Sequence, residues 1–366
     1  MIRLVTLAHK WVGGVCGLLL AILGLSGALL VYKDNWTLVA HKNEPFVMRS
    51  LTQQQVVAQA MHSKGPPAQM VAFASPELTV HRIAYANGRG AYLDQQGRTV
   101  AAWSSEWARP ELWLVSLHRY LFARPAGETW VGSAGVVGLL LVVSGIISWW
   151  RTRKTFEARL WPKRFSRAAL IRYHKDSGIL ITPVLVVSLV TGVAMAFKPV
   201  ANVLLGPGSA AAISQALKPP AYPAVPVAKN LDWPKIVQEA GDRFPQAQFR
   251  SIALPRKGSG LITVRLRQPA EWLPNGRTMV WFAADTGQIV GARDATQARA
   301  QAQAFNMIFP VHTGKMAGAL HQLIMALSGL VLCVLGLFSC WTFWFAGGVR
   351  GKVKRTVPQG VGSKSV

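Results

Sequence analysis

Eight histidines are the residues of this chain best suited to chemistry, and five lie at the edges of long apolar runs: His9, His118, His174, His312 and His321. The text around two of them is duplicated. His9-Lys10-x-x-Gly13 runs on to Ser26-Gly27 and ends at Tyr32-Lys33. His174-Lys175-x-x-Gly178 runs on to Thr191-Gly192 and ends at Phe197-Lys198, at identical spacing. A second duplication aligns Gly138-x6-Gly145-x2-Ser148-x-Trp150 with Gly329-x6-Gly336-x2-Ser339-x-Trp341. His118 precedes the first of these by 20 residues and His312 precedes the second by 17, so they are nearly equivalent. His321 aligns with Trp130 and has no symmetric partner. His41, His62 and His81 also lack partners and read as ordinary surface or core residues.

Residues related by a two-fold axis can face each other across it. Two facing imidazoles can take a metal between them. Zinc wants four ligands, usually including cysteine or carboxylate, and none is placed nearby. A haem iron needs only two, because the porphyrin supplies four nitrogens; imidazole suits iron, and a helix-bundle core is a usual place for such a cofactor. The spacing therefore predicts an inner haem between His9 and His174 and an outer haem between His118 and His312. His321 remains an alternative outer ligand. On an unbroken helix it would lie half a turn out of phase with His312 and ~13 Å away, but Gly314 and Gly318 leave that helix in question. Iron with both axial positions filled favours electron transfer over ligand chemistry. Lys10 and Lys175 inside, and Arg119 and Lys315 outside, are possible partners for haem propionates, or plain interfacial anchors. Gly13, Gly17, Gly24 and Gly27, with Gly132, Gly135, Gly138 and Gly145, offer either room for a porphyrin or close helix packing.

The elements that must position these histidines are membrane spans. The chain has 366 residues, 51% of them hydrophobic, and a formal net charge of +25. Runs 11–32, 130–150, 177–197 and 317–345 contain no Asp, Glu, Lys or Arg, and a bilayer crossing needs about 20 apolar residues. That pattern argues against a nucleic-acid-binding protein despite the charge. The first run is longer than the apolar part of a signal peptide, and its Ser26-Gly27-Ala28 sits inside the run, so it reads as a retained span. Nine Lys and Arg against Glu157 alone fill 151–175, and Arg350, Lys352, Lys354, Arg355 and Lys364 follow the last span. Short loops this basic stay in the cytoplasm. Both termini are therefore expected inside and segments 34–129 and 199–316 outside. The second outer segment is itself basic, thirteen Lys and Arg to six Asp and Glu from Lys218 to Lys315, which suits an anionic ligand or simply anionic lipid. Cys16, Cys333 and Cys340 all fall in spans, and no C-x-x-C-H for covalent haem attachment is present.

The outer segments are duplicated too. Leu51-Thr52-x-x-Gln55-Val56-Val57-x-x-Ala60 aligns with Leu231-Asp232-x-x-Lys235-Ile236-Val237-x-x-Ala240, each a helix with Thr52 or Asp232 as its N-cap. Stretches 263–266 and 279–282 read as strands, and 94–97 and 285–287 as turns. Proline-rich 219–226 reads as a stiff linker. The expected architecture is a mainly α membrane protein, a four-transmembrane-helix bundle built from two parallel repeats, each carrying a small α+β periplasmic domain. Its expected divisions are span 1–33, outer domain 34–129, span 130–150, basic loop 151–176, span 177–198, outer domain 199–316, span 317–346 and tail 347–366.

Several of these pieces resemble the PepSY-associated transmembrane family: His9-Lys10-Trp11-x-Gly13, Ser26-Gly27-Ala28-Leu29, Leu117-His118-Arg119, the 140–150 run ending in Trp149-Trp150-Arg151, and His312-Thr313-Gly314-Lys315. The outer repeats resemble PepSY domains, with Asp285-Thr286-Gly287-Gln288-Ile289-Val290 as a closing hairpin. The resemblance covers about residues 1–350. It implies a bacterial inner-membrane protein with periplasmic PepSY domains, and its relatives include ferric-siderophore reductases carrying two b-type haems, whose ligand positions map onto His9, His118, His174 and His312. Some relatives also carry a flavoprotein module. No G-x-G-x-x-G follows a strand here, so electrons are expected from a cytoplasmic flavoprotein reductase or from quinol. The expected activity is reduction of a periplasmic ferric chelate. Two other readings stay open: a permease subunit for an iron complex, for which Thr182-Pro183 is the one obvious helix break, and a sensory or peptidase-modulating membrane protein.

Overall fold

The computed structural model describes residues 2–38, 45–47, 51–61, 68–159 and 161–345. His41, His62 and the basic residues of the tail lie outside them. The α-helices are α1 (Ile2–Val31), α2 (Lys33–Trp36), α3 (Leu51–Met61), α4 (Pro110–Tyr120), α5 (Ala126–Trp150), α6 (Arg167–Ala196), α7 (Lys198–Leu205), α8 (Ser209–Leu217), α9 (Trp233–Arg243), α10 (Ala300–His312) and α11 (Gly318–Cys340). A π-helical turn, Trp341–Phe345, extends α11. Helices α1, α5, α6 and α11 are long and apolar enough to cross a bilayer.

Three of these helices begin earlier than the apolar text does, α1 at Ile2 among them. Helix α5 opens at Ala126, and α6 opens at Arg167, where the Ser166 hydroxyl accepts from Ala169 N–H as an N-cap. The second part of the 151–176 loop is thus helix. Apolarity marks the part of a helix that lipid requires, while backbone hydrogen bonding carries the helix on into water. Pro183 does not break α6, which continues to Ala196.

The spans pack in two different ways. A Cβ at Gly24 would lie 2.6 Å from Gly329 O, and a Cβ at Gly329 would lie 2.6 Å from Gly24 O. Gly17 approaches Gly336 O the same way, at 2.9 Å. Helices α1 and α11 therefore touch backbone to backbone, as small residues allow in lipid. Helices α5 and α6 meet through side chains instead: Gly135 faces Val193, and Gly138 faces Leu189. Of the two readings open for these glycines, close packing holds at Gly24, Gly132 and Gly135. Gly178, with nothing within 4 Å among the described residues, does face open space, and Gly13 has only ordinary contacts, at 3.9 Å, with Leu141 and Ser339.

The outer segments form one sheet of eight antiparallel strands rather than two separate small domains. The strands are β1 (Met70–Ala72), β2 (His81–Ala84), β3 (Gly90–Leu93), β4 (Thr99–Trp103), β5 (Gln248–Ala253), β6 (Leu261–Arg267), β7 (Thr278–Ala283) and β8 (Ile289–Arg293), in the order β4-β3-β2-β1-β5-β6-β7-β8. Each four-stranded half would leave β1 or β5 as an edge with unpaired N–H and C=O groups. Pairing Val71 with Ile252 removes both edges and continues the core across the seam. Helices α3 and α9 cover one face: Val56, Val57 and Ala60, with Ile236, Val237 and Ala240, pack on Val71, Ile83, Ile252, Val264, Val280 and Phe282. Asp232 caps α9 by accepting from Lys235 N–H at 3.0 Å. Helix α3 takes in Leu51, and the Thr52 side chain lies outside the described residues.

His81 makes this domain sensitive to acid. It is 1% exposed, its Nδ1 accepts from Ala74 N–H at 3.1 Å, and its buried Nε2 has no partner among the described residues. Burial pulls its pKa from 6.5 down to about 4. The unfolded chain binds this proton near pH 6.5 and the folded chain only near pH 4, so stability is complete above that window and is lost as pH falls through it. The loss reaches about 3 kcal/mol. Thermal melting at pH 7 and pH 4.5 should show the drop, and His81→Gln should flatten the pH dependence.

Candidate cofactor sites between the spans

The outer pair is built by helices that do not themselves cross. Arg109 precedes α4, and Pro110 at its first position opens the helix; Leu121, with φ 45°, ends it. That places His118 in the last turn, against α1. Helix α10 ends at His312, and Gly314 and Gly318, with φ of 74° and 68°, turn the chain into α11. The two rings face each other with centroids 6.3 Å apart. Each docks on the duplicated Ser-Gly or Thr-Gly step. His118 Nδ1 lies 3.0 Å from Ser26 Oγ, and a Cβ on Gly27 would sit 3.0 Å from His118 Cε1. His312 Nδ1 lies 3.0 Å from Thr191 Oγ1, and a Cβ on Gly192 would sit 3.1 Å from His312 Cε1.

These contacts fix the tautomer. Ser26 Oγ donates its own proton to Ile22 O at 2.7 Å, and Thr191 Oγ1 donates to Val187 O at 2.6 Å. Each oxygen is then left to accept, so each Nδ1 carries the hydrogen. His312 Nδ1 also reaches Ser188 O at 3.0 Å, and a carbonyl can only accept. The Nε2 lone pair of each ring is what remains, the form a metal ligand needs.

The inner pair is carried by the spans themselves. His9 on α1 and His174 on α6 have centroids 6.2 Å apart. His9 Nδ1 donates to Ser144 Oγ at 2.9 Å, whose own proton goes to Leu140 O at 2.8 Å. His174 Nδ1 lies 3.4 Å from Ser339 Oγ. Around this pair the four spans enclose a cavity of about 410 Å³ whose walls include Gly13, Leu141, Gly178, Leu185 and Leu335. That is within the usual range of ligand and cofactor pockets, about 300–1,000 Å³. Its lining also includes Lys10, Arg167 and Lys175. Trp149 lines it as well, and its buried indole N–H has no hydrogen-bond partner among the described residues.

Both separations suit a shared metal. An imidazole nitrogen sits roughly 2 Å from a first-row metal it binds, so two rings in line across one ion have centres roughly 6 Å apart. Among the described residues no three His, Cys, Asp or Glu side chains gather at one point. Each site thus offers two nitrogens and no more, which serves a metal whose other ligands come from a macrocycle.

The remaining predicted residues divide. Lys10 lies over the Phe343 ring at 5.8 Å, within reach of the inner cavity. Lys315 is committed elsewhere: its ammonium pairs with Asp34, which Lys33 also holds at 2.6 Å. Arg119 is within 3.9 Å of Glu128 and stacks over Tyr120. His321 belongs to α11, beyond the glycine turn, and its buried Nδ1 has no partner among the described residues. The structure brings His312, and not His321, to His118. The hydroxyls of Ser26, Thr191 and Ser144, the Trp149 indole and Arg167 are additions the sequence reading missed. Ser26 and Thr191 stood in the duplicated text, but their role needed the position of α4 and α10.

The chain matches the family described as PepSY-associated TM region over residues 6–346, and it belongs to that family. It is accordingly a membrane protein with four spanning helices and an antiparallel sheet domain. No curated protein matches it.

Proposed function

We propose that this protein is a dihaem electron carrier of the bacterial inner membrane that reduces a ferric chelate, such as a ferric siderophore, on the periplasmic side. The observation that carries this reading is the presence of two facing imidazole pairs, 6.2 and 6.3 Å between centroids. The basic 151–175 loop supports an orientation with the His9–His174 end and both termini in the cytoplasm and the sheet domain in the periplasm. The mirrored strand order about the β1–β5 seam supports two parallel repeats around an axis along the membrane normal.

Haem b, bound at each pair, would supply one-electron carriage. His9 and His174 would hold the inner group, with Lys10, Lys175 and Arg167 placed for its propionates; His118 and His312 would hold the outer one. The Ser144, Ser26 and Thr191 hydroxyls accept from Nδ1 of His9, His118 and His312 and so orient those three rings. His118 docks on Ser26, seventeen residues beyond His9 on α1, so the two pairs are about 25 Å apart along the helix axis. That separation spans most of the ~30 Å hydrocarbon core. A cytoplasmic flavoprotein reductase or quinol would supply the electrons. Reduction labilises the chelate because hydroxamate and catecholate oxygens prefer Fe(III). The permease reading loses support from the continuity of α6 through Pro183, and the sensory reading leaves four paired imidazoles without a use.

The test follows iron. Protein reduced with dithionite and freed of excess reductant is mixed with ferric chelates in the presence of a ferrous-iron trap. Stoichiometric Fe(II) is expected; no Fe(II) from any chelate, with haem bound, would rule out the reductase. Ser26→Ala tests the support of the outer ring. Loss of a second partner of this kind typically costs 10–100-fold in metal affinity, so outer-site haem retention on dilution should fall by about that factor, while the inner site is unchanged.

A further inference from the structure

The sheet has a second face, opposite to α3 and α9, and its register sets one row of side chains across seven strands. Pairings Tyr92↔Arg82, Arg82↔Ala72, Ala72↔Ser251, Ser251↔Arg265, Arg265↔Met279 and Met279↔Arg293 run from β3 to β8. Directly paired residues share a face. The ends of the row are engaged. Tyr92 donates to Glu111 of α4 at 3.0 Å, and Arg293 donates to Ala216 O of α8 at 2.9 Å. The centre is not. Arg82, Ala72, Ser251 and Arg265 are all only half-buried, and among the described residues neither guanidinium has a hydrogen bond or an ion pair. Two small residues thus floor a trough about three strand spacings, ~14 Å, across, with an unpaired arginine on either side.

More positive charge surrounds it. Arg250, at the bulge in β5, is 7% exposed and donates to Glu77 at 3.3 Å and to Gln248 Oε1 at 2.9 Å, yet its buried Nε has no partner among the described residues. Arg267 Nε–H donates to the Glu271 main-chain carbonyl, the Arg277 main-chain N–H donates to the Glu271 carboxylate, and Arg256 adds to the field on Arg265. Burial and the neighbouring Arg277 and Arg256 pull the Arg265 guanidinium down to about 10. Glu77 and Glu271 beside the trough, and Glu111 at its Tyr92 end with Arg109 as partner, stand against Arg82, Arg250, Arg265, Arg267 and Arg277. The place is also next to the outer histidines. Arg277 bonds Asn306 of α10, two turns before His312, and Glu111 of α4 lies two turns before His118, each about 10 Å along its helix.

We propose that this trough binds an anionic, carboxylate-bearing metal chelate, with Arg82 and Arg265 as its two clamps. Guanidinium forks match carboxylates bidentately, and unpaired arginines at a half-buried site are costly unless an anion completes them. The substrate class rests on the reductase reading; the binding site does not.

The probe is gallium(III) citrate, which matches the ferric complex in charge but is not reduced. Binding to the full-length, haem-loaded protein in detergent is measured by titration calorimetry at low salt. Wild type should bind it, Arg82→Gln and Arg265→Gln should each weaken binding several-fold, and the double variant should lose it. Arg153→Gln, in the cytoplasmic loop, should leave binding unchanged, and Arg265→Lys should retain part of it if charge as well as shape matters. Thermal melting checks that the variants fold. Wild type that binds no anionic chelate, or a double variant that binds as tightly as wild type, overturns the proposal. The two readings fail separately: chelate bound but never reduced sinks the reductase alone, and reduction of ferric citrate undiminished in the double variant sinks the trough alone.

Discussion

Replacing His118 by alanine is expected to leave the purified protein with one haem instead of two. The variant removes one of two imidazoles whose rings stand 6.3 Å apart, and His312 alone, though still fixed by Thr191 Oγ1 and Ser188 O, offers a single axial nitrogen. The inner pair is built by α1, α6, α5 and α11 and shares no residue with the outer one, so its haem should stay. His312→Ala should give the same spectrum as His118→Ala. His9→Ala and His174→Ala should each remove the other haem. His321→Ala should retain both, because that residue stands past the Gly314–Gly318 turn, away from His118. Pyridine haemochrome content per chain reads all five. Full haem content in His312→Ala with loss in His321→Ala would reverse the outer assignment.

Gly24→Leu is expected to be strongly destructive to the packing of the spans. At this position the first side-chain atom would already meet the Gly329 carbonyl at 2.6 Å and the Cys333 nitrogen at 3.1 Å. Both are backbone and cannot rotate away. The helices must separate, losing the seam from Gly17–Gly336 to Gly24–Gly329 along its length. Overpacking of this kind costs about 3 kcal/mol or more, and the same separation would widen the gap between His9 and its neighbours. Gly178→Ala is the contrast: with nothing within 4 Å, it should fold normally. Size-exclusion profiles and melting temperatures in detergent separate the two. A Gly24→Leu protein that melts with wild type would mean the α1–α11 contact is not what holds the bundle.

The paired histidines were legible because histidine is scarce and the chain writes its span text twice. Matching His9 to His174 needed only spacing. The glycines were not legible in the same way. Gly24, Gly27 and Gly178 share one letter and one apolar setting, yet one touches backbone, one seats an imidazole and one borders a cavity; only the neighbouring helix decides. The strands of β6 and β7 showed their alternation, whereas β1 is three residues long and has too little text to show a period, so the seam that joins the two halves could not be read. The duplication is also imperfect at the site. His9 bonds Ser144, while His174 lies near Ser339, whose counterpart is Ser148 one turn away. Lys315 looked free in sequence because its partner, Asp34, lies at the far end of the chain.

The most direct test of paired-imidazole haem sites is the haem content and visible spectrum of the wild-type protein, purified in detergent after expression with haem supplied, before and after dithionite and then carbon monoxide. Two haems per chain are predicted, with a sharp reduced α-band that carbon monoxide does not alter, because both axial positions are already held by imidazole. A protein that carries no haem, or whose reduced spectrum shifts with carbon monoxide at both sites, would contradict the assignment of His9 with His174 and His118 with His312.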